Sequence, residues 1–283
     1  MTATSAEFPK ELLAAIDGMQ AFPTSVQNIL RLTGDADCAP RELVEVIQSD
    51  PIVTIKVLRV VNSAYYSLSR PVTSVDGAVV FLGFNTIKNM ALSIAALSLL
   101  PNNPLAAFDT RGYLQHSLCT ASIARVLGAR FEGIDAHDFF IAGLLHDFGK
   151  VVLAQVMPKQ FNQAVETCRS QPISLHPALL QSTGIHHAEL GAMLLEHWRF
   201  APVLVNAIRS QYASEEGISR VALCVHVANQ LGKRLGTDFV AHAPAQPLAP
   251  WMEQALGGDL DAVLQSLGDM HQVMEEGSRF ADL

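Results

Sequence analysis

The stretch L-L-H-D-F-G-K, residues 144–150, closes the apolar run I-A-G-L-L and sets a histidine beside an aspartate where that run ends. Imidazole nitrogen and carboxylate oxygen both bind divalent ions such as Zn²⁺, Mn²⁺ or Fe²⁺, and the carboxylate offsets the ion's charge. Neighbouring helical residues point about 100° apart. His146 and Asp147 therefore reach one ion together only near a helix edge or an irregularity, which Gly149 is expected to supply. Two ligands do not hold a metal, so other helices must bring more.

Outward from the doublet, helical periodicity runs almost throughout and strand alternation is nearly missing. Helices are expected at about 110–129, 136–156, 159–170, 175–182, 187–198, 201–212 and 218–235. Upstream, Leu43, Val44, Val46 and Ile47 mark one face of a short helix. Asp50-Pro51 then restarts the chain, with Asp50 as a cap and Pro51 at the first helical position. Thr73 with Asp76 resembles a capping pair for V-D-G-A-V-V-F-L, which Gly83 can terminate, and Asn85 caps the helix that follows. P-N-N-P at 101–104 is the clearest internal break, and A-H-A-P-A-Q-P-L-A-P at 241–250 reads as a Pro-rich linker before one or two acidic helices. The fold class is all-α.

Composition narrows the function. Of 283 residues, 49% are hydrophobic and 16% charged, which suits a folded globular chain. The net charge of −8 argues against nonspecific nucleic-acid binding, whose footprint is a basic surface. Glu253, Asp259, Asp261, Asp269, Glu275, Glu276 and Asp282 face only Arg279 in the last stretch, so the tail is acidic and either docks a basic partner or covers the domain's own surface. Cys38, Cys119, Cys168 and Cys224 are widely spaced and suit buried thiols in a reducing compartment. Cys119 lies three residues from His116, but core packing explains it better than a nucleophile does. With no basic start leading into an apolar run, no signal peptide is expected, and M-A-L-S-I-A-A-L-S-L-L (90–100) is too short to span a bilayer. A cytoplasmic location and no membrane partner are the expectations.

Partners for the doublet are sought on neighbouring helices. His116 lies in Y-L-Q-H-S-L-C-T-A, and His187 opens the helix after G-I-H-H-A-E-L-G-A. A late carboxylate is wanted next, but V-H-V-A-N-Q-L-G-K offers Asn229, a neutral and much poorer ligand. Against these stand plainer readings: the doublet as a helix-end cap and satisfied polar pair, His187 as a structural hydrogen-bonder, and His186, His197 and His226 as structural or surface residues.

A histidine, then H-D, then a late acidic position resembles the HD phosphohydrolase superfamily. L-L-H-D-F-G-K is similar to its HD-GYP branch, which cleaves cyclic di-GMP at a two- or three-metal centre. In that branch Lys150 would match a lysine that contacts substrate phosphate, which makes it a candidate anion-binding residue. The simpler account is an exposed helix-end lysine favoured by the dipole. The branch's paired histidines correspond here to Gln211 and Tyr212, and no G-Y-P loop follows. Further blocks agree in order with another relative: F-P-T-S-V-Q-N-I-L, I-Q-S-D-P-I-V-T-I-K-V-L-R-V-V-N-S-A-Y-Y-S, V-D-G-A-V-V-F-L-G-F-N-T-I-K-N-M-A-L-S and H-H-A-E-L-G-A-M-L-L-E-H-W. Together they resemble the HDOD domain, the HD-related output domain, over roughly residues 19–215.

That resemblance implies a two-lobed helical bundle. An N-terminal lobe covers about 1–104 and an HD-like lobe about 105–240, with the linker and acidic helical extension over 241–283. It implies a bacterial signalling or regulatory protein, generally without hydrolase activity, that works by binding a signalling protein or ligand. Such domains commonly accompany receiver, GGDEF or EAL modules, for which this length is expected to leave no room. On this reading no residue is catalytic. One divalent ion (iron, manganese, zinc or magnesium) could survive on His116, His146 and Asp147 with His187. Gln211, Tyr212 and Asn229 are degenerate ligand positions that deny a second. The alternative is a metal-dependent phosphohydrolase or phosphodiesterase using His116, His146, Asp147 and a metal-activated water. In N-S-A-Y-Y-S (62–67), Asn62, Tyr65 and Tyr66 either frame a partner groove or, as favoured here, end a helix and cover a join.

Overall fold

In the computed structural model, which describes residues 28–29, 32, 39–62, 70–84, 87, 90–91, 94, 108–134, 136–198, 200–213, 217–240 and 245–270, every regular element is helical. Thirteen bounded helices occur among the described residues, and no strand does. The expectations placed on Cys38, Tyr65, Tyr66, Asn85 and 101–104 lie outside the described residues.

The first helices form where the sequence signals them. α1 (Pro40–Ser49) starts on a proline and buries Leu43, Val44 and Ile47 on one stripe. Asp50 Oδ1 accepts from the Val53 N–H at 3.1 Å, capping α2 (Pro51–Val61) as expected. Asn62 ends α2 in a structural role: its amide donates to the Leu58 and Val72 carbonyls and accepts from the Val72 N–H at 2.6 Å. This ties 72 to the helix end and leaves Ser74, not Thr73, as the cap of α3 (Val75–Leu82), where Ser74 Oγ accepts from Gly77 N at 3.1 Å. Asp76 takes Gln48 Nε2 instead, at 2.9 Å. Gly83 closes α3 with φ 81°, a conformation glycine adopts without strain.

The second half contains α4 (Thr110–Gly128), α5 (Ala136–Leu145), α6 (Phe148–Val156), α7 (Pro158–Ser170), α8 (Leu175–Thr183), α9 (His187–His197), α10 (Pro202–Ser210) and α11 (Arg220–Arg234). Side-chain oxygens of Asp109 and Ser219 cap α4 and α11, and Gly184 in the left-handed region ends α8. Bounds agree with the periodicity within two residues except at one place. The helix expected over 136–156 is two helices, broken at His146–Asp147. The carbonyl that the break frees, that of His146, accepts from Gln211 Nε2 at 2.7 Å. A new ladder starts with Lys150 N–H bonding to the Asp147 carbonyl at 2.9 Å.

Two glycines set the crossings around this break. A Cβ on Gly143 would lie 2.6 Å from Ala121 Cα, so α5 rests directly on α4. One on Gly149 would collide with the His187 carbonyl, so α6 rests on the start of α9. Gly149 therefore does not make the irregularity expected of it; it admits a neighbouring backbone. The core runs through both halves, with Tyr113, Phe139, Phe148 and Phe161 among its largest fully buried side chains. The apolar stretch Asp138–Val156 is long enough to cross a membrane by composition, yet it is 83% buried inside the protein as core.

Two short helices follow the linker, α12 (Pro250–Leu256) and α13 (Leu260–Ser266). Leu248, Met252, Leu256, Val263 and Met270 are buried in the same core as the preceding helices. Arg130 donates to the Leu256 carbonyl and Ser266 Oγ, and Gln230 Oε1 accepts from the Gln246 N–H. The described part of the acidic extension covers the domain's own surface.

Candidate metal centre

Asp147 stands where the chain leaves α5 and enters α6. At φ −103° and ψ 10° it occupies the cap position of α6, but its side chain makes no capping bond. The carboxylate faces inward and is fully buried. His146 comes from the same turn, His116 from the middle of α4, and His187 is the first residue of α9, brought up by the Gly149 crossing.

For His146 and His116 the tautomer of the neutral ring follows from the outer nitrogen. His146 Nδ1 lies 2.7 Å from the Gly143 carbonyl, which can only accept, so Nδ1 carries hydrogen and Nε2 the lone pair. That Nε2 is 3.3 Å from Asp147 Oδ2. The Thr237 hydroxyl donates to the Gly232 carbonyl at 2.9 Å, so towards His116 Nδ1, at 3.5 Å, it can only accept. His116 thus also presents a lone pair on Nε2, 3.7 Å from the same carboxylate oxygen. The three ligand atoms of His116, His146 and Asp147 all lie within 4.8 Å of one another. His187 approaches from the far side, with Nε2 3.2 Å from Asp147 Oδ1 and Nδ1 3.2 Å from His176 Nδ1.

Lys150 differs most from expectation. It is 4% exposed, not a solvated helix-end lysine, and its ammonium lies 2.6 Å from Asp147 Oδ2. It stands in the first turn of α6, where the dipole opposes a cation. The carboxylate and the Phe239 ring, 5.5 Å from Nζ, hold it there instead. Burial pushes the Asp147 carboxyl up, but the Lys150 ammonium beside it helps hold it well below the usual carboxylate range. Burial, reinforced by His146, keeps His116 far below the ordinary imidazole value. Burial likewise lowers His187 to about 4, despite Asp147. The centre is a buried Asp147–Lys150 pair ringed by imidazoles, of which burial disfavours the charged form of His116 and His187.

The degenerate positions serve the scaffold. Gln211 holds the His146 carbonyl, and Tyr212 stacks on His176 with ring centroids 4.0 Å apart. Asn229 Nδ2 donates to the Tyr212 hydroxyl at 3.3 Å. His226 Nδ1 lies 2.7 Å from the Gln211 carbonyl, whereas His197 is exposed. His186 packs against His176 at 4.6 Å between centroids. Sequence reasoning missed His176 and Thr237. Three histidines within twelve residues, 176, 186 and 187, were the available signal for the first; nothing local marked the second. Cys119, Cys168 and Cys224 are buried thiols, and burial pushes Cys119 up to about 11, which suits packing and not nucleophilic chemistry.

The residues fit one divalent ion. His146 Nε2, Asp147 Oδ1 and His187 Nε2 are buried without a hydrogen-bond partner, and a cation would satisfy such converging polar atoms. Charge limits the fit: Lys150 already neutralises Asp147, and the late position is the neutral Asn229.

An all-helical domain that gathers a histidine, a His-Asp doublet and a further histidine around one carboxylate has the architecture of the HD class. The family model of the HDOD domain matches residues 19–214, and the chain belongs to that family. It is similar to a signal-transduction candidate from Marinobacter aquaeolei VT8, 25% identical with TM-score 0.76, covering 99% of this chain and 62% of that one. A candidate phosphohydrolase from Shewanella amazonensis SB2B shares the fold at 23% identity and TM-score 0.74, covering 96% and 98% of the two chains. An uncharacterised protein of Treponema pallidum (strain Nichols) is 26% identical over 196 residues, 69% of this chain. The chain spans 37% of that curated relative's length.

Proposed function

We propose that this HDOD protein is a non-catalytic regulatory module of bacterial signal transduction, acting in the cytoplasm by binding a signalling protein or ligand. The observation that carries this reading is the closure of the centre: His116, His146, Asp147, Lys150 and His187 are each at most 4% exposed. A phosphodiesterase needs an open position that substrate can reach, and several anionic ligands to offset the charge of its metals. Here the candidate ligands are enclosed, one lysine neutralises the carboxylate, and Gln211, Tyr212 and Asn229 bond to the scaffold. Regulation would proceed through a partner that binds one helix packing better than another. The net charge of −8 favours a protein partner over nucleic acid.

A second reading, metal-dependent phosphohydrolase, is favoured by the His116–His146–Asp147 cluster and by the Shewanella neighbour's description. When bound, the ion would polarise a phosphoryl oxygen and lower the pKa of water. The test is turnover of cyclic dinucleotides and generic phosphodiesters by protein reconstituted with Mn²⁺, Fe²⁺ or Zn²⁺. The regulatory reading expects none; hydrolysis that Asp147→Ala abolishes would establish the enzyme.

A further inference from the structure

We propose that Lys150 is a resident cation of the HD centre, competing with a divalent metal for Asp147, so that the protein folds around this carboxylate without an ion. The inference rests on the regulatory reading of the same centre and deepens it.

Asp147 Oδ2 is the pivot. It is the oxygen that His146 Nε2 and His116 Nε2 approach, at 3.3 and 3.7 Å, and it already accepts from Lys150 Nζ at 2.6 Å. An ion drawn to both imidazole lone pairs would need that same oxygen, and would come close to a buried ammonium. Like charges at such separations in a poorly solvated site repel strongly. Lys150 is no passing occupant: Phe239 underlies it, and that ring packs against Phe108 and Tyr113 at 5.6 and 5.5 Å.

Chelator-stripped wild type, Lys150→Met, Lys150→Arg and Asp147→Asn would be titrated with Mn²⁺ by calorimetry, with thermal midpoints recorded with and without the ion. Lys150→Met should bind one equivalent at least about tenfold more tightly than wild type and gain more in midpoint. Lys150→Arg should bind no better than wild type, and Asp147→Asn not at all. If Lys150→Met requires Mn²⁺ to refold, the proposal stands; if it neither folds nor refolds with Mn²⁺, it falls. Equal Mn²⁺ affinity in wild type and Lys150→Met, or no binding in either, also overturns it while leaving the regulatory reading untouched. Turnover by wild type would sink that reading without touching the competition.

Discussion

Asp147 and Lys150 form a buried pair, and its energetics are asymmetric: removing one partner strands the other's charge. Asp147→Ala is therefore expected to destabilise the metal-free protein by about 3–5 kcal/mol, read as a lower denaturant midpoint with the slope unchanged. Gln211→Ala strips the His146 carbonyl of its donor and should cost about 1–3 kcal/mol by the same measurement. The histidines make stability depend on pH. His116, His176 and His187 titrate below 6.5 in the folded state, with burial the largest cause for each. The unfolded chain therefore takes up protons that the folded chain refuses. Stability is fully present above about pH 7 and falls as the pH drops from 6.5 towards 4, with His187 alone contributing a loss of about 3 kcal/mol across that window. Urea titrations of metal-free protein at pH 7.5, 6 and 5 should show successively lower midpoints; a flat series would mean that these rings titrate normally.

Helix crossings do for the elements what ion pairing does for the residues. The α6–α9 contact depends on Gly149 lacking a side chain, and that contact delivers His187 to Asp147. Gly149→Ala would force two backbones apart and should cost about 3 kcal/mol or more, above the usual overpacking range. It should also weaken metal uptake, since the break and His187 would no longer meet. Gly149 is visible in the sequence as a residue beside the doublet, but its function belongs to a partner helix 38 residues later that periodicity cannot name. The split of 136–156 is invisible in the sequence for a related reason. Every residue there suits a helix, and the break is held by Gln211, a long-range donor.

Across the whole molecule, the segment 248–270 packs against α11 and places five apolar side chains in the core. Burial of each such side chain is worth about 1.5–3 kcal/mol. Truncation after residue 240 should expose the apolar surface beneath them, raising binding of a hydrophobic dye and lowering the thermal midpoint. Unchanged dye binding and midpoint would show this cover to be dispensable. The acidic tail was legible as composition, while its choice between a foreign surface and its own depended on Leu248, Met252 and Val263 finding a core to enter.

Helical class, the order of helices and most of their ends follow from the sequence, because apolar spacing and caps such as Asp50-Pro51 act within a few residues. The same holds for the choice of His116, His146 and Asp147, whose donor chemistry is intrinsic to the side chains. Only the tertiary structure decided that Lys150 is buried against Asp147, that Thr237 sets the tautomer of His116, and that His176 backs His187. Desolvation and charge pairing are properties of what surrounds a group, and those surroundings come from helices far apart along the chain.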